Sequence, residues 1–260
     1  MFRYPHGEDS FFSPDSDEIF FLGSALLAAP VLHRGATHVN VTFPRDSFYN
    51  FYSEKSYSPG EQVQIPTPVW HGAVGPGARA DVEGGPPVPL FIRAGSILPV
   101  LAEVHIASSR DARAVQLVVA LDAACGAKGF LYVDDGFSTD FVVRGHVCEV
   151  SLTASMGDGA RAAVVVTGRG AGAGCAFINS TTPFGVVHSI AIRLRHCDAL
   201  SKRTFAEATV ISSFPTSLTD EANDEGRRAR VVRRHGAVEV ENVRIVQSGA
   251  PAFFWTVNIR

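Results

Sequence analysis

Pro89-Leu90-Phe91-Ile92-Arg93-Ala94-Gly95-Ser96-Ile97-Leu98-Pro99 decides how this chain is read. Proline lacks a backbone donor and sits at or beyond the end of a sheet strand. Between the two prolines, Leu90-Phe91-Ile92 and Ile97-Leu98 are short apolar runs separated by Arg93-Ala94-Gly95-Ser96. The pattern predicts two buried strand pieces joined by a bend. Gly95 is the residue able to turn the backbone where a side chain resists. The Ser96 hydroxyl is assigned to local turn bonding, and Arg93 either pairs with a carboxylate or lies in solvent.

Upstream, Ser13-Pro14-Asp15-Ser16 predicts a helix start, with Asp17 and Glu18 in the first turn beside the positive end of the helix dipole. Ile19, Phe20 and Leu22, with Phe21 beside them, bury one face of that helix, and Gly23 ends it. Leu26 to Leu32 reads as a strand. Thr37 to Pro44 alternates strictly and places Val39, Val41 and Phe43 on one face of a half-buried strand. Ser47-Phe48-Tyr49-Asn50-Phe51-Tyr52 is an aromatic strand, Tyr57-Ser58-Pro59-Gly60 a turn, and Gln62 to Pro66 alternates again. Residues 71–87 are dominated by Gly, Pro and Ala without a period, which predicts a loop or a disordered insertion.

Downstream, Ala114 to Leu121 sets Val115, Leu117, Val119 and Leu121 on an inward face. Gly129 to Val133 is the next strand, followed by a hairpin turn at Asp134-Asp135-Gly136. Phe141–Val143, Val147–Leu152, Ala162–Val166, Ser189–Arg195 and Thr209–Ser212 read as further strands. His235-Gly236 joins Val231–Arg234 to Ala237–Val240 as a two-residue hairpin. Trp255, Val257 and Ile259 alternate in a last strand, while 220–230 is a polar, solvated loop. Short strands at regular spacing with little helical periodicity predict antiparallel sandwiches.

Three of these stretches carry a resemblance. Asp17-Glu18-Ile19-Phe20-Phe21-Leu22-Gly23-Ser24-Ala25-Leu26-Leu27-Ala28-Ala29-Pro30-Val31, then Pro89 to Pro99, then Gly129-Phe130-Leu131-Tyr132-Val133-Asp134-Asp135-Gly136 stand in the order and spacing of the C-terminal third of glycoside hydrolase family 31. In that family, the α-glucosidase family, the pieces look like D-D-Q-Y-L-L-G-x-x-L-L-V-x-P-V, I-P-L-F-V-R-G-G-S-I-I-P and G-x-L-Y-L-D-D-G. Ser47–Tyr52 resembles its W-Y-D-F-W segment. The closing Trp255-Thr256-Val257-Asn258-Ile259-Arg260 is similar to the glucosidase II branch. The resemblance is strong to about residue 140 and weaker beyond.

The resemblance implies an all-β fold of two antiparallel β-sandwich domains preceded by a short remnant of a catalytic (β/α)8 barrel. Residues 1–35 would be the end of the barrel with its connecting helix and strand. Residues 36–103 would form the proximal β-sandwich, interrupted by the insertion at 71–87, and 104–260 the distal β-sandwich. It implies a retaining α-glucosidase acting on a carbohydrate substrate. It also implies, on the glucosidase II branch, glucose trimming of N-linked glycans in the endoplasmic reticulum lumen beside a regulatory β-subunit. Arg93 would then have the option of pairing with a carboxylate across an interface to the barrel.

No catalytic residue carries over, because the family's two catalytic aspartates lie on barrel strands before the matched pieces and no W-x-D-M-N-type segment occurs here. The expected chain is a supporting C-terminal fragment, inactive alone. The rival reading is a stand-alone β-sandwich that binds carbohydrate, and a third is a purely structural interaction domain. The Asp17-to-Val31 piece favours the first, since a free binding module has no use for it.

Residue chemistry points the same way. Asp134-Asp135 is the most tempting carboxylate pair, but a retaining glycosidase needs carboxyls from different elements, about 5–5.5 Å apart. Neighbours in a turn project apart. Asp15, Asp17 and Glu18 lack the glycine and distant glutamate of a calcium loop and read as helix caps. His6-Gly7-Glu8-Asp9 reads as a surface loop. Gly168-Arg169-Gly170-Ala171-Gly172-Ala173-Gly174 lacks the Gly-Lys-Ser/Thr ending of a phosphate loop and reads as a flexible strand connection. Phe48, Tyr49, Phe51 and Tyr52 read as a strand buried on both sides rather than a sugar-stacking surface. No catalytic, cofactor-binding or metal-ligating residue is assigned, and no cofactor is expected.

Composition bounds the rest. A 260-residue chain, 46% hydrophobic and 19% charged, can bury a real core. Its net charge of −3 argues against nucleic acid as a partner. No apolar run reaches the ~18 residues of a membrane helix, and the start at Met1-Phe2-Arg3-Tyr4-Pro5-His6 does not read as a signal peptide. Cys125, Cys148, Cys175 and Cys197 form no C-x-x-C pair, which disfavours zinc. They read as small apolar core residues; in a lumenal parent they can form disulfides.

Overall fold

The computed structural model describes residues 19–33, 35–53, 55–66, 88–101, 114–134, 138–157, 164–175, 186–194, 196–201, 205, 208–212, 230–234, 237–241 and 252–259. The expected helix start at 13–18, His6–Asp9, the insertion at 71–87, Asp135-Gly136 and almost all of 220–230 lie outside them. The chain divides into two compact units, Met1–Ala94 and Gly95–Arg260, so the division falls inside the central stretch and ahead of the expected boundary at 103.

The first unit holds strands β1 (Phe20–Leu22), β2 (Leu26–Ala28), β3 (His38–Thr42), β4 (Phe48–Asn50), β5 (Ser56–Tyr57), β6 (Gln62–Pro66) and β7 (Leu90–Arg93). One sheet runs β1-β2-β7-β4-β5 and a second pairs β3 with β6. The inward residues of both sheets meet in one core. Val39, Val41 and Ile65 come from the two-stranded sheet, and Phe21, Leu27, Phe48, Tyr57 and Phe91 from the other, with Phe43 joining them. Aromatic rings dominate. Phe43 stacks on Tyr57 at 4.4 Å between centroids and meets Phe91 edge-on at 4.9 Å, geometries that add to plain area burial.

The helix expected up to Gly23 is corrected: in its described part the chain is a hairpin. Phe21 is buried while Phe20 and Leu22 are exposed, a period of two, and Leu22 pairs with Leu26 across a turn at Gly23. Four apolar residues in a row cannot distinguish a helical from a strand period, and paired phenylalanines favour the pleated surface.

The second unit holds β8 (Ser96–Leu101), β9 (Ala114–Ala120), β10 (Ala127–Asp134), β11 (Val147–Met156), β12 (Val164–Ala171), β13 (Val186–Arg193), β14 (Ala208–Ser212), β15 (Arg230–Arg234), β16 (Ala237–Glu241) and β17 (Ala252–Ile259). They form one ten-stranded sheet in the order β14-β17-β12-β11-β10-β8-β9-β13-β16-β15. Side chains from both halves of that order share a single core. Leu152, Val166 and Val257 come from one half and Leu117, Ile190 and Val240 from the other, so the sheet closes on itself as a sandwich. Val115, Leu117, Val119 and Leu121 are buried as their alternation requires.

Three expectations for this unit are corrected. Pairing is not wholly antiparallel: β9 runs parallel to β13, and β8 meets β10 in parallel register at Ser96 and Lys128. Side chains alternate between faces in a strand of either direction, so a strand with one buried face does not encode its direction. Phe141–Val143 is a turn, not a strand. Arg144 N–H donates to the Asp140 carbonyl at 3.0 Å, and His146 N–H to the Phe141 carbonyl at 2.8 Å. Consequently Asp134 does not open a tight hairpin; it is the last residue of β10, paired with Val147 across a longer connection. By contrast Arg234 pairs directly with Ala237, as the His235-Gly236 hairpin requires.

The four cysteines are not free. Cys125 bonds Cys197 and Cys148 bonds Cys175, all four buried. Burial agreed with the apolar-core reading, but pairing over 72 and 27 residues leaves no local sequence pattern. The glycine-rich run is likewise not a flexible connection: Gly168 to Ala171 completes β12, and a Cβ on Gly174 would overlap the Val147 carbonyl beside the Cys148–Cys175 bridge.

The central stretch bends where expected. Gly95 has φ +81°. Arg93 N–H donates to the Ala25 carbonyl at 2.8 Å and Ala94 N–H to Ser47 at 2.9 Å, both within the first unit. Gly95 N–H donates to Ala120 at 2.8 Å and its carbonyl accepts from Lys128 at 3.0 Å, both within the second. Ser96 begins β8 and is buried. Pro99 lies within β8 instead of ending it, paired with Leu117 of β9. Beyond Ser96 that strand has no register with β10, an edge-like position where a missing donor costs little.

Candidate functional site

Among the described residues no group of three or more His, Cys, Asp and Glu could hold a metal ion, and no helix is long and apolar enough to cross a membrane. Of the carboxylates weighed from sequence, Asp134 alone is described. It ends β10 on the same face as Tyr132. Asp15, Asp17, Glu18 and Asp135 lie outside the described residues. Arg93 takes the carboxylate option within its own unit: its Nη1 lies 3.6 Å from Asp46 Oδ2, with both side chains partly exposed.

The aromatic segment expected to be buried on both sides is so only at its start. Phe48 and Tyr49 are buried, Phe51 is half-buried and Tyr52 is exposed. The Asn50 carboxamide oxygen accepts from the backbone N–H of Tyr52 and of Ser53, each at 2.9 Å, turning the chain out of β4. Tyr57 sits beneath the Lys55 ammonium, 5.1 Å from ring centroid to nitrogen. Burial raises the Tyr57 hydroxyl pKa; a hydrogen bond from Asn50 opposes this and the Glu61 carboxylate adds to it.

The most conspicuous surface was not singled out from sequence. On β10 the residues facing away from the core are Lys128, Phe130 and Tyr132, with Phe130 68% and Tyr132 41% exposed. The antiparallel register sets Ser151 opposite Phe130 and Glu149 opposite Tyr132 on β11, and Arg169 of β12 opposite Ser151. The Phe141 ring lies edge-on to Tyr132 at 6.4 Å. The Tyr132 pKa is raised by partial desolvation and then by the carboxylates of Asp134 and Glu149, so the hydroxyl keeps its proton. The signal was present in Gly129-Phe130-Leu131-Tyr132-Val133. Once Leu131 and Val133 face inward, the two aromatic rings must face out.

Residues 1–98 match the family model of the glycosyl hydrolase family 31 C-terminal domain. A probable alpha/beta-glucosidase of Arthroderma benhamiae is 33% identical over 155 residues, covering 58% of this chain and 15% of the relative. Glucoamylase 1 of Candida albicans is 33% identical over 128 residues, covering 48% of this chain and 12% of the relative. The chain therefore spans about a seventh or less of the length of these relatives. Among solved structures, a Flavobacterium johnsoniae family 31 dextranase complexed with glucose aligns over 93% of this chain and 26% of its own, with a TM-score of 0.54 and 17% identity. An ER glucosidase II complex of the catalytic subunit and the binding domain of the regulatory subunit aligns over 93% and 23%, with a TM-score of 0.59 and 20% identity. At these identities the structural likeness is one of fold.

Proposed function

We propose that this chain, whose residues 1–98 match the glycosyl hydrolase family 31 C-terminal domain, is the C-terminal part of a family 31 enzyme and supports the catalytic barrel of a retaining α-glucosidase while contributing no catalytic carboxylate. The observation that carries the reading is the family match over residues 1–98, the region whose two sheets close on an aromatic core. On this reading the unit ending at Ala94 corresponds to the proximal sandwich and the unit from Gly95 to the distal one, with the barrel preceding both.

The two disulfides support a finer placement. Disulfides persist in oxidising compartments, and both are buried in one core, which fits the endoplasmic reticulum lumen. The glucosidase II likeness of fold fits the same compartment, with glucose on N-linked glycans as substrate and a regulatory β-subunit as partner.

The test is turnover of an aryl α-glucoside by the purified chain. None is expected. Activity that survives purification and is lost on substituting Asp134 or another carboxylate of this chain would overturn the proposal, because the reacting groups would then lie here.

A further inference from the structure

We propose that the outer face of β10 and β11, built around Phe130 and Tyr132, binds a neutral oligosaccharide non-catalytically. The inference goes beyond the supporting role above and does not depend on it.

Phe130 and Tyr132 stand two residues apart on one strand, so their rings emerge about 7 Å apart on the same face. Both are exposed, and the edge contact from Phe141 holds one of them upright. Paired exposed rings on a sheet face are costly to leave in water and mark an interaction surface. The residues around them decide its kind. Lys128 and Arg169 supply cations, Glu149 supplies an anion, and the hydroxyls of Ser151 and Tyr132 lie in the rows between. A protein interface of ordinary strength has a core depleted of charge and buries well over 1,000 Å²; here charged and hydroxyl groups stand directly opposite each ring. An anionic polymer would meet Glu149 and Asp134 beside the same tyrosine. What suits a small platform of two rings edged by donors and acceptors of both signs is an uncharged ligand with an apolar flat face and a rim of hydroxyls. A pyranose chain has that chemistry.

The full chain is run by affinity electrophoresis in gels containing soluble starch, dextran, β-glucan or mannan, and titrated with maltoheptaose, isomaltoheptaose, cellohexaose and mannohexaose. Retardation by at least one polysaccharide is expected, with its oligosaccharide binding at least tenfold more weakly to Phe130→Ala/Tyr132→Ala. Amide shift changes on saturation should centre on β10 and β11, a readout that holds even if the double variant fails to fold. No retardation by any of the four overturns the proposal, as do shift changes centred elsewhere or unchanged binding in a folded double variant. Self-association that the double variant abolishes would also overturn it, assigning the face to a second copy. None of these readouts moves with α-glucosidase turnover, so the two proposals fail separately.

Discussion

Gly129→Ala tests the packing of β10 against β8. Gly129 follows Lys128, the residue in register with Ser96. A Cβ built on Gly129 would overlap the Ile97 carbonyl oxygen and lie 2.9 Å from Ile97 Cβ. The obstacle is mostly backbone, which cannot swing away as a side chain would. Relief requires the strands to part locally, loosening the bond from Lys128 N–H to the Gly95 carbonyl. Overpacking costs about 1–3 kcal/mol, and an unyielding neighbour puts this substitution near about 3 kcal/mol. Gly95→Val is the internal comparison. There the nearest atoms to a Cβ belong to the Asp122 side chain, at 3.4 Å and beyond, so the penalty is that of a branched residue at φ +81°, about 1–3 kcal/mol. In thermal melts, about 2–4 °C per kcal/mol for a unit of this size translates Gly129→Ala into a loss of about 6–12 °C. Guanidinium melts with unchanged slope should show the same midpoint order. A Gly129→Ala midpoint equal to wild type would refute the close approach and require the β8–β10 register to be redrawn.

Three further outcomes are expected. Replacing Cys148 and Cys175 by Ser should cost about 3.5 kcal/mol from chain entropy over a 27-residue loop, and Cys125 with Cys197 about 4.5 kcal/mol over 72; melts that do not respond to thiol reductant would contradict the pairing. Phe91→Ala removes the ring that meets Phe43 and Tyr57 edge-on and should destabilise the first unit by about 3–5 kcal/mol in denaturant melts. The raised Tyr57 pKa means the folded state holds that proton more tightly than the unfolded chain does. Its stabilising effect is full below the unfolded pKa of about 10 and is lost as pH rises through the folded value. Between about pH 9 and 11 the wild type should therefore lose more stability than Tyr57→Phe, and parallel losses would refute the assignment.

What could be read from the sequence followed from strict alternation and from turn residues. Thr37–Pro44 and Ala114–Leu121 bury the faces their patterns name, and Gly95 takes the bend because no neighbour in that stretch can. The run at Ile19–Leu22 was misread because four consecutive apolar residues carry no period. Phe141–Val143 was misread because three apolar residues in a turn look like a short strand; Val142 and Val143 are in fact exposed. The parallel β9–β13 pair and both disulfides depend on contacts between residues far apart in sequence, which local patterns do not record. The β10 surface is legible in the alternation of Gly129–Val133, which sends Phe130 and Tyr132 outward once Leu131 and Val133 face the core.

The place of β17 in the sheet has a consequence for synthesis. This segment, Ala252–Ile259, is the last of the described strands in sequence, yet it lies between β12 and β14, pairing with both. During vectorial translation the earlier strands emerge first, and β12 keeps an unpaired row of donors and acceptors until β17 leaves the ribosome. Open edges of that kind recruit other chains. The β12 edge therefore stays open while the segment between Ala171 and Ala252 is made, and termination before Ala252 would leave two sticky borders in place of one seam.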